Sequence, residues 1–475
     1  MGGAKLNRRG FLKFMGLGAA ALTVTSMVST TGAESKVAPP NILLAIADDM
    51  TWSDAGCYGN ADVKTPNIDK LALQGMRFTR CFTSTAMCAP TRQQLYTGLY
   101  PVRNGAYPNH SRVKVGTRSI VHYLMDIGYR VGLVGKKHFG PPESFPFENV
   151  AGNADKHGEI EEFINRDKTQ PYCLVVASKQ PHSPWSKGRA EDYDPQKLNV
   201  PEYMVDTEET RNGLTKYYAE IAYLDGQVGK CMELVDQSGS RDNTLFIFTS
   251  EQGSLYPHCK WTLYDTGIRT AFIARWPKKI KAASVTEAMV QYVDVTPTLV
   301  KAAGGEKIAN LDGFSFLPVL MGKRNRHRDV TYGVHTTRGI IAGSECYPIR
   351  SIRTATHKYI MNLNHKSRFS NIITERDRGG IWSSWVEKAR TDPDAAKKVE
   401  MFIYRPAEEL YDVEKDPYEL NNLADDPKYR SLMDSLKNRL LAWMDQQGDK
   451  GIETEMLALE RQGRRKSAAT GNKGR

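Results

Sequence analysis

Four short apolar segments, each followed at once by charged or polar side chains, restrict the possible folds of this chain more than any other feature of its sequence. Each has the length of a strand and lacks a clean polar alternation, as expected of strands that are covered on both faces. A fifth segment, 271–276, has a weaker pattern of the same kind. The four main segments are 41–47, 129–134, 172–177 and 244–249. They predict a buried, mainly parallel sheet.

Helical patterns lie between these strands. One begins at Thr65 and Pro66, with proline in the first turn and apolar residues at helical spacing after it. Another repeats apolar residues on one face over residues 214–234. Strands that alternate with helices predict an α/β fold with a doubly wound, mainly parallel sheet.

The polar residues that follow the four strands predict a site. In an open α/β sheet, ligands bind outside the carboxyl ends of the strands, so these side chains are expected at one edge. They are Asp48 and Asp49 after the first strand, Lys136, Lys137 and His138 after the second, Lys179 and His182 after the third, and Glu251 and Gln252 after the fourth.

The acidic members of this set favour a metal ion. Asp48, Asp49, Glu251 and the amide oxygen of Gln252 form an all-oxygen set, which suits Ca²⁺ or Mg²⁺ better than zinc. Taken singly, each acidic pair is equally well explained as a solvated turn or a helix cap. The four segments together favour the metal site.

A further candidate lies between the first two strands. Pro90 suits the first turn of a helix that continues through Arg92, which places Cys88 near the helix N-terminus. There the helix dipole favours an anion or lowers the pKa of a thiol. Arg92 lies one turn away on the same face. The alternative is a buried cysteine at a helix entry beside a surface arginine.

Composition and charge exclude several classes of protein. The chain has 475 residues, of which 40% are hydrophobic and 25% are charged, so wholesale disorder is excluded. Seven cysteines, an odd number, exclude a disulfide scaffold. Most of the formal net charge of +11 lies in residues 1–35 and 461–475. The body is therefore close to neutral, and we expect no nucleic-acid partner.

The two ends are interpreted separately from the body. Arg8 and Arg9 precede a mildly apolar stretch and then small residues, a twin-arginine signal peptide over residues 1–33. This predicts export by the twin-arginine machinery to a periplasmic or secreted location. Residues 461–475 lack an apolar anchor and predict a basic, disordered tail.

The motifs together resemble the type I sulfatase family. Cys88-x-Pro90-x-Arg92 matches the C-x-P-x-R signature of these formylglycine-dependent enzymes, with Thr91 where serine is commoner. The other matching motifs are Asp48-Asp49, G-K-x-H at 135–138, P-H-x-P at 181–184, T-S-E-Q-G at 249–253 and Lys260-Trp261-Thr262. Glu251-Gln252 replaces the commoner Asp-Asn or Asp-His, which leaves the exact coordination open.

The resemblance implies a chemistry for these residues. A maturation enzyme would convert Cys88 to formylglycine (3-oxoalanine), whose hydrate attacks sulfur while one of its oxygens joins the ligands of Ca²⁺ or Mg²⁺. Lys136 and Lys260 would neutralise charge on the sulfate oxygens, and Arg92 would hold the hydrate. His182 would protonate the leaving atom, and His138 would deprotonate the second hydroxyl to release sulfate.

The resemblance covers roughly residues 40–445 and is closest to the N-sulfoglucosamine sulfohydrolase branch, through motifs at 135–141, 347–351 and 362–364. It implies an alkaline-phosphatase-like catalytic α/β domain over residues 36–345. Segments 350–359 and 409–417 resemble strands of a smaller C-terminal α+β domain, expected over residues 346–460. The substrate would be a sulfate ester or sulfamate on a sulfated oligo- or polysaccharide.

Two other functions stay open at this point. A phosphomonoester or phosphonate hydrolase could use the same scaffold, and a catalytically inactive homologue could bind anions with Cys88 still a thiol. The sugar, the linkage and exo or endo action are not set by the sequence. Candidate sugar contacts, on position alone, are Tyr107, His110, Lys179, Trp185, His258, His335 and Arg338.

Overall fold

The structure is a computed structural model that describes residues 38–463. The predicted signal peptide and residues 464–475 of the predicted tail lie outside the described residues. Within 38–463, no helix combines the length and the apolar character needed to cross a membrane.

Two sheets organise the described chain. The larger has nine strands in the order β4-β3-β5-β1-β6-β7-β2-β8, with β9 also paired to β2, and the smaller has four strands in the order β10-β11-β12-β13. The strands are β1 (Asn41–Ala47), β2 (Met76–Phe82), β3 (Arg130–Gly135), β4 (Glu148–Ala151), β5 (Tyr172–Ala177), β6 (Thr244–Ser250), β7 (Arg269–Arg275), β8 (Ser284–Thr286), β9 (Val290–Gln291), β10 (Thr331–His335), β11 (Ile349–Arg353), β12 (His357–Asn362) and β13 (Glu408–Asp412).

Fifteen α-helices accompany them within the described residues. They are α1 (Pro66–Gln74), α2 (Cys88–Thr97), α3 (Pro101–Asn104), α4 (Ile120–Met125), α5 (His157–Asn165), α6 (Glu208–Gln237), α7 (Asp265–Ile268), α8 (Val295–Ala302), α9 (Leu317–Leu320), α10 (Ile372–Arg376), α11 (Ile381–Lys388), α12 (Pro393–Ile403), α13 (Arg430–Gln447), α14 (Ile452–Met456) and α15 (Ala458–Arg461).

The large sheet is doubly wound, as predicted. Strands β4, β3, β5, β1 and β6 are parallel neighbours. Successive residues of β1 enter two separate hydrophobic cores, one containing apolar residues of α1, α5 and α6 and the other containing those of α2, α4 and α8. Burial on both faces explains why these strands read as continuous apolar runs.

The predicted strands correspond closely to the observed ones. The four main segments are confirmed as β1, β3, β5 and β6, with ends that differ by no more than one residue. The weaker fifth is β7, and it pairs antiparallel with β6 and β2. It is an interior strand of the sheet and is buried except at its first residue.

The C-terminal sheet is antiparallel throughout and packs against α13. It includes the predicted strand segments as β11, β12 and β13, but it also includes β10, which lies before the predicted domain boundary at residues 345 and 346. The boundary therefore stays a prediction. Arg461 is a correction: it ends α15 and its guanidinium donates to the Gly105 carbonyl, so it belongs to the fold and not to a disordered tail.

Candidate active site

The carboxyl ends of β1 and β6 bring the acidic residues together. Asp48 and Asp49 follow β1 directly, and Glu251 follows β6. The backbone N–H of Glu251 donates a hydrogen bond to the Ala47 carbonyl. The three carboxylates are 0–1% exposed. Asp49 takes a positive φ of 65°, which turns the chain sharply at the strand end. The parallel register of the two strands thus fixes three carboxylates in one buried place.

Cys88 begins α2 and faces these carboxylates. Its Sγ lies 3.9 Å from Asp48 Oδ1, 3.9 Å from Asp49 Oδ1 and 3.2 Å from Lys260 Nζ. Burial, with the Glu251 carboxylate, raises the pKa of the thiol to about 12. The pKa of this thiol is therefore raised, whereas the helix N-terminus was expected to lower it, because burial disfavours the thiolate.

The ligand set fits a divalent cation. Oxygen atoms of Asp48, Asp49 and Glu251 and the Cys88 Sγ all lie within 4.8 Å of one another. Burial and the neighbouring Glu251 carboxylate raise the pKa of Asp48 well above its usual range. Crowded, buried carboxylates are costly unless a cation compensates them, and oxygen donors suit a hard ion such as Ca²⁺ or Mg²⁺.

Gln252 reaches the cluster with the other end of its amide. Its Nε2 donates to Asp49 Oδ1 at 2.6 Å and lies 3.3 Å from Cys88 Sγ. Its Oε1, which the sequence analysis assigned to the metal, is buried and has no hydrogen-bond partner among the described residues. A half-turn of the amide exchanges the two atoms, so the side chain can present an oxygen donor to an ion.

Three cationic side chains balance the three carboxylates. Lys136 Nζ lies 2.5 Å from Asp48 Oδ2, and Lys260 Nζ lies 2.7 Å from both Asp49 oxygens. Arg92 Nε lies 2.5 Å from Glu251 Oε2. Arg92 thus contacts the long Glu251 side chain, a pairing that the sequence analysis did not anticipate.

A glycine explains how Lys136 reaches the site. Gly135 ends β3 with φ 86°, and a Cβ there would lie 2.1 Å from the Ala177 carbonyl oxygen. Only glycine tolerates this approach, which lets the Lys136 N–H donate to the same carbonyl at 2.9 Å. The turn directs the lysine to Asp48 and the following His138 to the cavity.

The two predicted histidines, His138 and His182, line the same cavity as Cys88. Burial and the Lys136 charge lower the pKa of His138 to about 3, so this imidazole is neutral. Its Nε2 lies 2.7 Å from Nδ1 of His110. His182 Nε2 lies 3.6 Å from Asp49 Oδ2. Although Asp49 favours protonation, burial and Lys260 hold the pKa of His182 below its usual value.

A cavity of about 580 Å³ opens onto this cluster and is called the reaction cavity below. Its lining includes Asp48, Cys88, Asn109, His110, Lys136, His138, Lys179, His182, Lys260 and Trp261. Asn109 was missed because it does not lie in a polar segment at a predicted strand end. Trp261 was named only as part of the motif that begins at Lys260, without a role of its own.

The candidate sugar contacts divide into two groups. His110 and Lys179 line the reaction cavity, and Trp185 lines a neighbouring one. Tyr107, His258 and His335 are buried, the first with its hydroxyl donating to the Thr454 carbonyl. Arg338 pairs with Glu345. Neither cavity described here is lined by these last four residues, so their role as sugar contacts stays a prediction.

Comparison with known families gives two matches. The model described as Sulfatase matches residues 40–158 and 157–305. The model described as N-sulphoglucosamine sulphohydrolase, C-terminal, matches residues 256–378. The two matches follow the chain order expected from the sequence motifs.

Individual proteins are similar over most of the chain. An ulvan-active sulfatase of Formosa agariphila is 34% identical, over 90% of this chain and 84% of that protein. The human N-sulphoglucosamine sulphohydrolase is 29% identical, over 85% of this chain and 90% of that protein. The solved structure of a phosphonate monoester hydrolase of Agrobacterium radiobacter has a TM-score of 0.66 at 21% identity, over 86% of this chain and 96% of that one. The last likeness shows a shared fold.

Proposed function

Because the chain belongs to the sulfatase family, we propose that it removes sulfate from a sulfated glycan through formylglycine made from Cys88 and a divalent cation. One observation carries the proposal: Cys88 Sγ lies within 3.9 Å of two buried carboxylates and a lysine, beside a cavity lined by imidazoles and lysines. The chain is therefore a hydrolase of sulfuric esters whose nucleophile derives from Cys88.

Asp48, Asp49, Glu251 and Gln252 would hold the cation, and we propose Ca²⁺. Their oxygen donors are flexible in number and geometry, which suits Ca²⁺ better than the strict octahedron of Mg²⁺. The ion would polarise sulfate oxygens and lower the pKa of a nearby hydroxyl. Formylglycine would supply a hydrated aldehyde as nucleophile.

The cationic side chains would bind and orient the sulfate. Lys136 and Lys260 line the same cavity as Cys88 and carry N–H groups that can donate hydrogen bonds to sulfate oxygens. Arg92, fully buried against Glu251, would fix the position of that carboxylate and of the α2 N-terminus. The same residues therefore serve both the anion and the ligand set.

The histidines would move protons. His182 is partly exposed at the cavity and would donate a proton to the leaving oxygen or nitrogen. His138 is neutral and half-buried, so it can accept a proton from a hydroxyl at the position of Cys88. Each such transfer is worth about 10²–10⁴-fold in rate.

We further propose that the substrate is a sulfated polysaccharide fragment and that it carries a sulfate ester or a sulfamate. The names of the two relatives support both chemistries, one acting on ulvan and the other on N-sulfoglucosamine. The C-terminal match supports the sulfohydrolase branch. Sulfate release measured across ulvan, heparan, chondroitin and carrageenan fragments separates these substrates.

Export and maturation complete the proposal. The twin-arginine pattern at Arg8 and Arg9 supports transport to the periplasm or beyond, after folding and after a maturation enzyme has acted on Cys88. Replacing both arginines with lysine should retain the protein in the cytoplasm, as cell fractionation would measure. Equal export of the variant would contradict the proposed route.

Peptide mass spectrometry tests the modification. Cleavage after Arg80 and Arg92 gives a peptide that contains Cys81 and Cys88, so each copy carries its own control. After coexpression with a maturation enzyme, Cys88 should show the mass decrease from CH₂SH to CHO, while Cys81 should still react with a thiol reagent. An unmodified Cys88 would support the inactive anion-binding alternative.

Product analysis tests the reaction. The modified protein should release sulfate from sulfated sugars, and Cys88→Ala should release none. The phosphonate hydrolase shares the fold, so the same preparation is assayed with phosphate monoesters and phosphonate esters. Faster release from those esters than from sulfated sugars would replace the proposed reaction with the alternative one.

A further inference from the structure

A second cavity of about 440 Å³ adjoins the reaction cavity. Four residues, Ser183, Pro184, Leu255 and Ile372, line both. The far wall comes from the first turns of α6 and from α10 and α11, which lie in a segment after the antiparallel sheet's β12. A substrate held in the reaction cavity can therefore extend directly into the second one.

The floor of the second cavity is aromatic and rigid. The Trp185 ring stacks on Tyr256 with centroids 5.2 Å apart and an angle of 21°, and its Nε1 donates to the Pro181 carbonyl. Trp382 is buried against Trp385 on the opposite side. A rigid aromatic floor with a few polar groups at the rim suits a ring with an apolar face, such as a pyranose.

The two cavities differ in charge. The reaction cavity is lined by three lysines, Lys136, Lys179 and Lys260. Asp48 balances Lys136 and Asp49 balances Lys260, so the charge of Lys179 is in excess. Among the described residues, the charged side chains that line the second cavity are Glu209, Lys216 and Asp377. Carboxylates outnumber cations there. An anionic group is therefore attracted to the first cavity and disfavoured in the second.

We propose that the second cavity binds the sugar unit attached to the sulfated one, and that this neighbouring unit carries no sulfate. The inference rests on the proposed function, because the sulfated unit must occupy the reaction cavity. It makes the enzyme selective for sulfate groups whose neighbouring unit on the chain carries no sulfate.

A charge reversal with a matched control tests this. Glu208 and Glu209 are both exposed on the same turn of α6, but of the two only Glu209 lines the cavity. The probes are pairs of disaccharides from heparan sulfate or ulvan that share one sulfated unit and differ only in sulfation of its neighbour. The wild type should prefer the member with the unsulfated neighbour in kcat/KM.

Glu209→Lys should raise the kcat/KM of the doubly sulfated disaccharide, relative to that of the member with the unsulfated neighbour, by roughly threefold to tenfold. Glu208→Lys changes the net charge equally and should leave the ratio near the wild-type value. Neither variant should alter hydrolysis of a sulfated monosaccharide. Equal ratios for the two variants, or no preference in the wild type, would overturn the inference.

A binding measurement separates this inference from the proposed function. Calorimetric titration of the same disaccharides into Cys88→Ala protein, with and without Glu209→Lys, measures the preference without turnover. A preference in binding with no sulfate release by the parent protein supports the second cavity and refutes the sulfatase reaction. Sulfate release without any such preference supports the sulfatase reaction and refutes the inference about the second cavity.

Discussion

Asp54 is a carboxylic acid held away from water in the loop after β1. Its Oδ2 accepts a hydrogen bond from the Tyr217 hydroxyl at 2.6 Å, yet burial raises its pKa to about 7. The native state therefore keeps a proton between about pH 4 and pH 7 that the unfolded chain has lost. This contribution to stability is present below about pH 4 and is lost as the pH rises through 7.

Asp54→Asn should remove that pH dependence. The amide keeps the shape and cannot ionise, so the free energy of unfolding should fall less between pH 5 and pH 8 than in the wild type, by up to about 2.7 kcal/mol. Denaturant titrations at the two pH values measure it. The exposed Asp445→Asn is the control. A wild-type slope that persists in Asp54→Asn would mean that Asp54 is ionised in the native state.

His110 holds the ring of His138 through the 2.7 Å contact between their nitrogens. We expect His110→Asn to lower kcat roughly tenfold with little change in KM, because the proton acceptor loses its orientation while sulfate binding is retained. His110 has φ 59°, a conformation that asparagine tolerates, so the backbone should survive. Steady-state kinetics measure the split.

His365→Asn, on an exposed residue, controls for the loss of an imidazole and should be neutral. If His110→Asn instead raises KM and leaves kcat unchanged, His110 contacts the substrate and does not position His138.

At the residue scale, the sequence predicted which side chains meet but not how they pair. Strand ends and family motifs were sufficient to place Asp48, Asp49 and Lys136 at one edge of the sheet. The contact between Arg92 and Glu251 depends on one extra methylene in a crowded interior, and the pKa of Cys88 depends on how completely water is excluded. Neither quantity is encoded in spacing along the chain.

At the scale of elements, α1 shows what local sequence signals leave out. Pro66 correctly marked its first turn, but the cap comes from α6. The Asp225 carboxylate accepts hydrogen bonds from the backbone N–H groups of Asn67 and Ile68, and from the Asn67 side chain at 2.7 Å. Asp225 is 158 residues from Asn67, so only the folded packing of two helices supplies this cap.

Asp225→Ala should therefore destabilise the protein by about 2–3 kcal/mol, because buried donors at a helix N-terminus lose their acceptor. Asp225→Asn keeps an acceptor oxygen and should cost less. Denaturant unfolding of the two variants measures the difference. Equal stabilities for Ala and Asn would mean that water replaces the cap.

At the scale of the whole molecule, buried charges join the two sheets. Asp265, after the active-site segment, lies 3.0 Å from Arg353 of β11 and 2.6 Å from Lys358 of β12. Lys358 also lies 2.7 Å from Glu419. These side chains come from segments far apart in sequence. Apolar runs predicted the large sheet, and the family resemblance implied strands of the small one. The partners of the charged residues between the two sheets follow from three-dimensional packing alone.

The crowded carboxylates make the stability of the whole fold depend on a cation. An ion that binds the native cluster of Asp48, Asp49 and Glu251, and not the unfolded chain, adds about 2.7 kcal/mol at a hundredfold excess over its Kd. We therefore expect chelation to lower the Tm by several degrees and excess Ca²⁺ to restore it. Asp48→Asn should lose most of this response, and NaCl at equal ionic strength should not restore the Tm. Two results would contradict this: a wild-type Tm that changes with neither chelator nor Ca²⁺, or a Tm shift of the same size in Asp48→Asn. Either would show that the three lysine and arginine partners already neutralise the cluster without an ion.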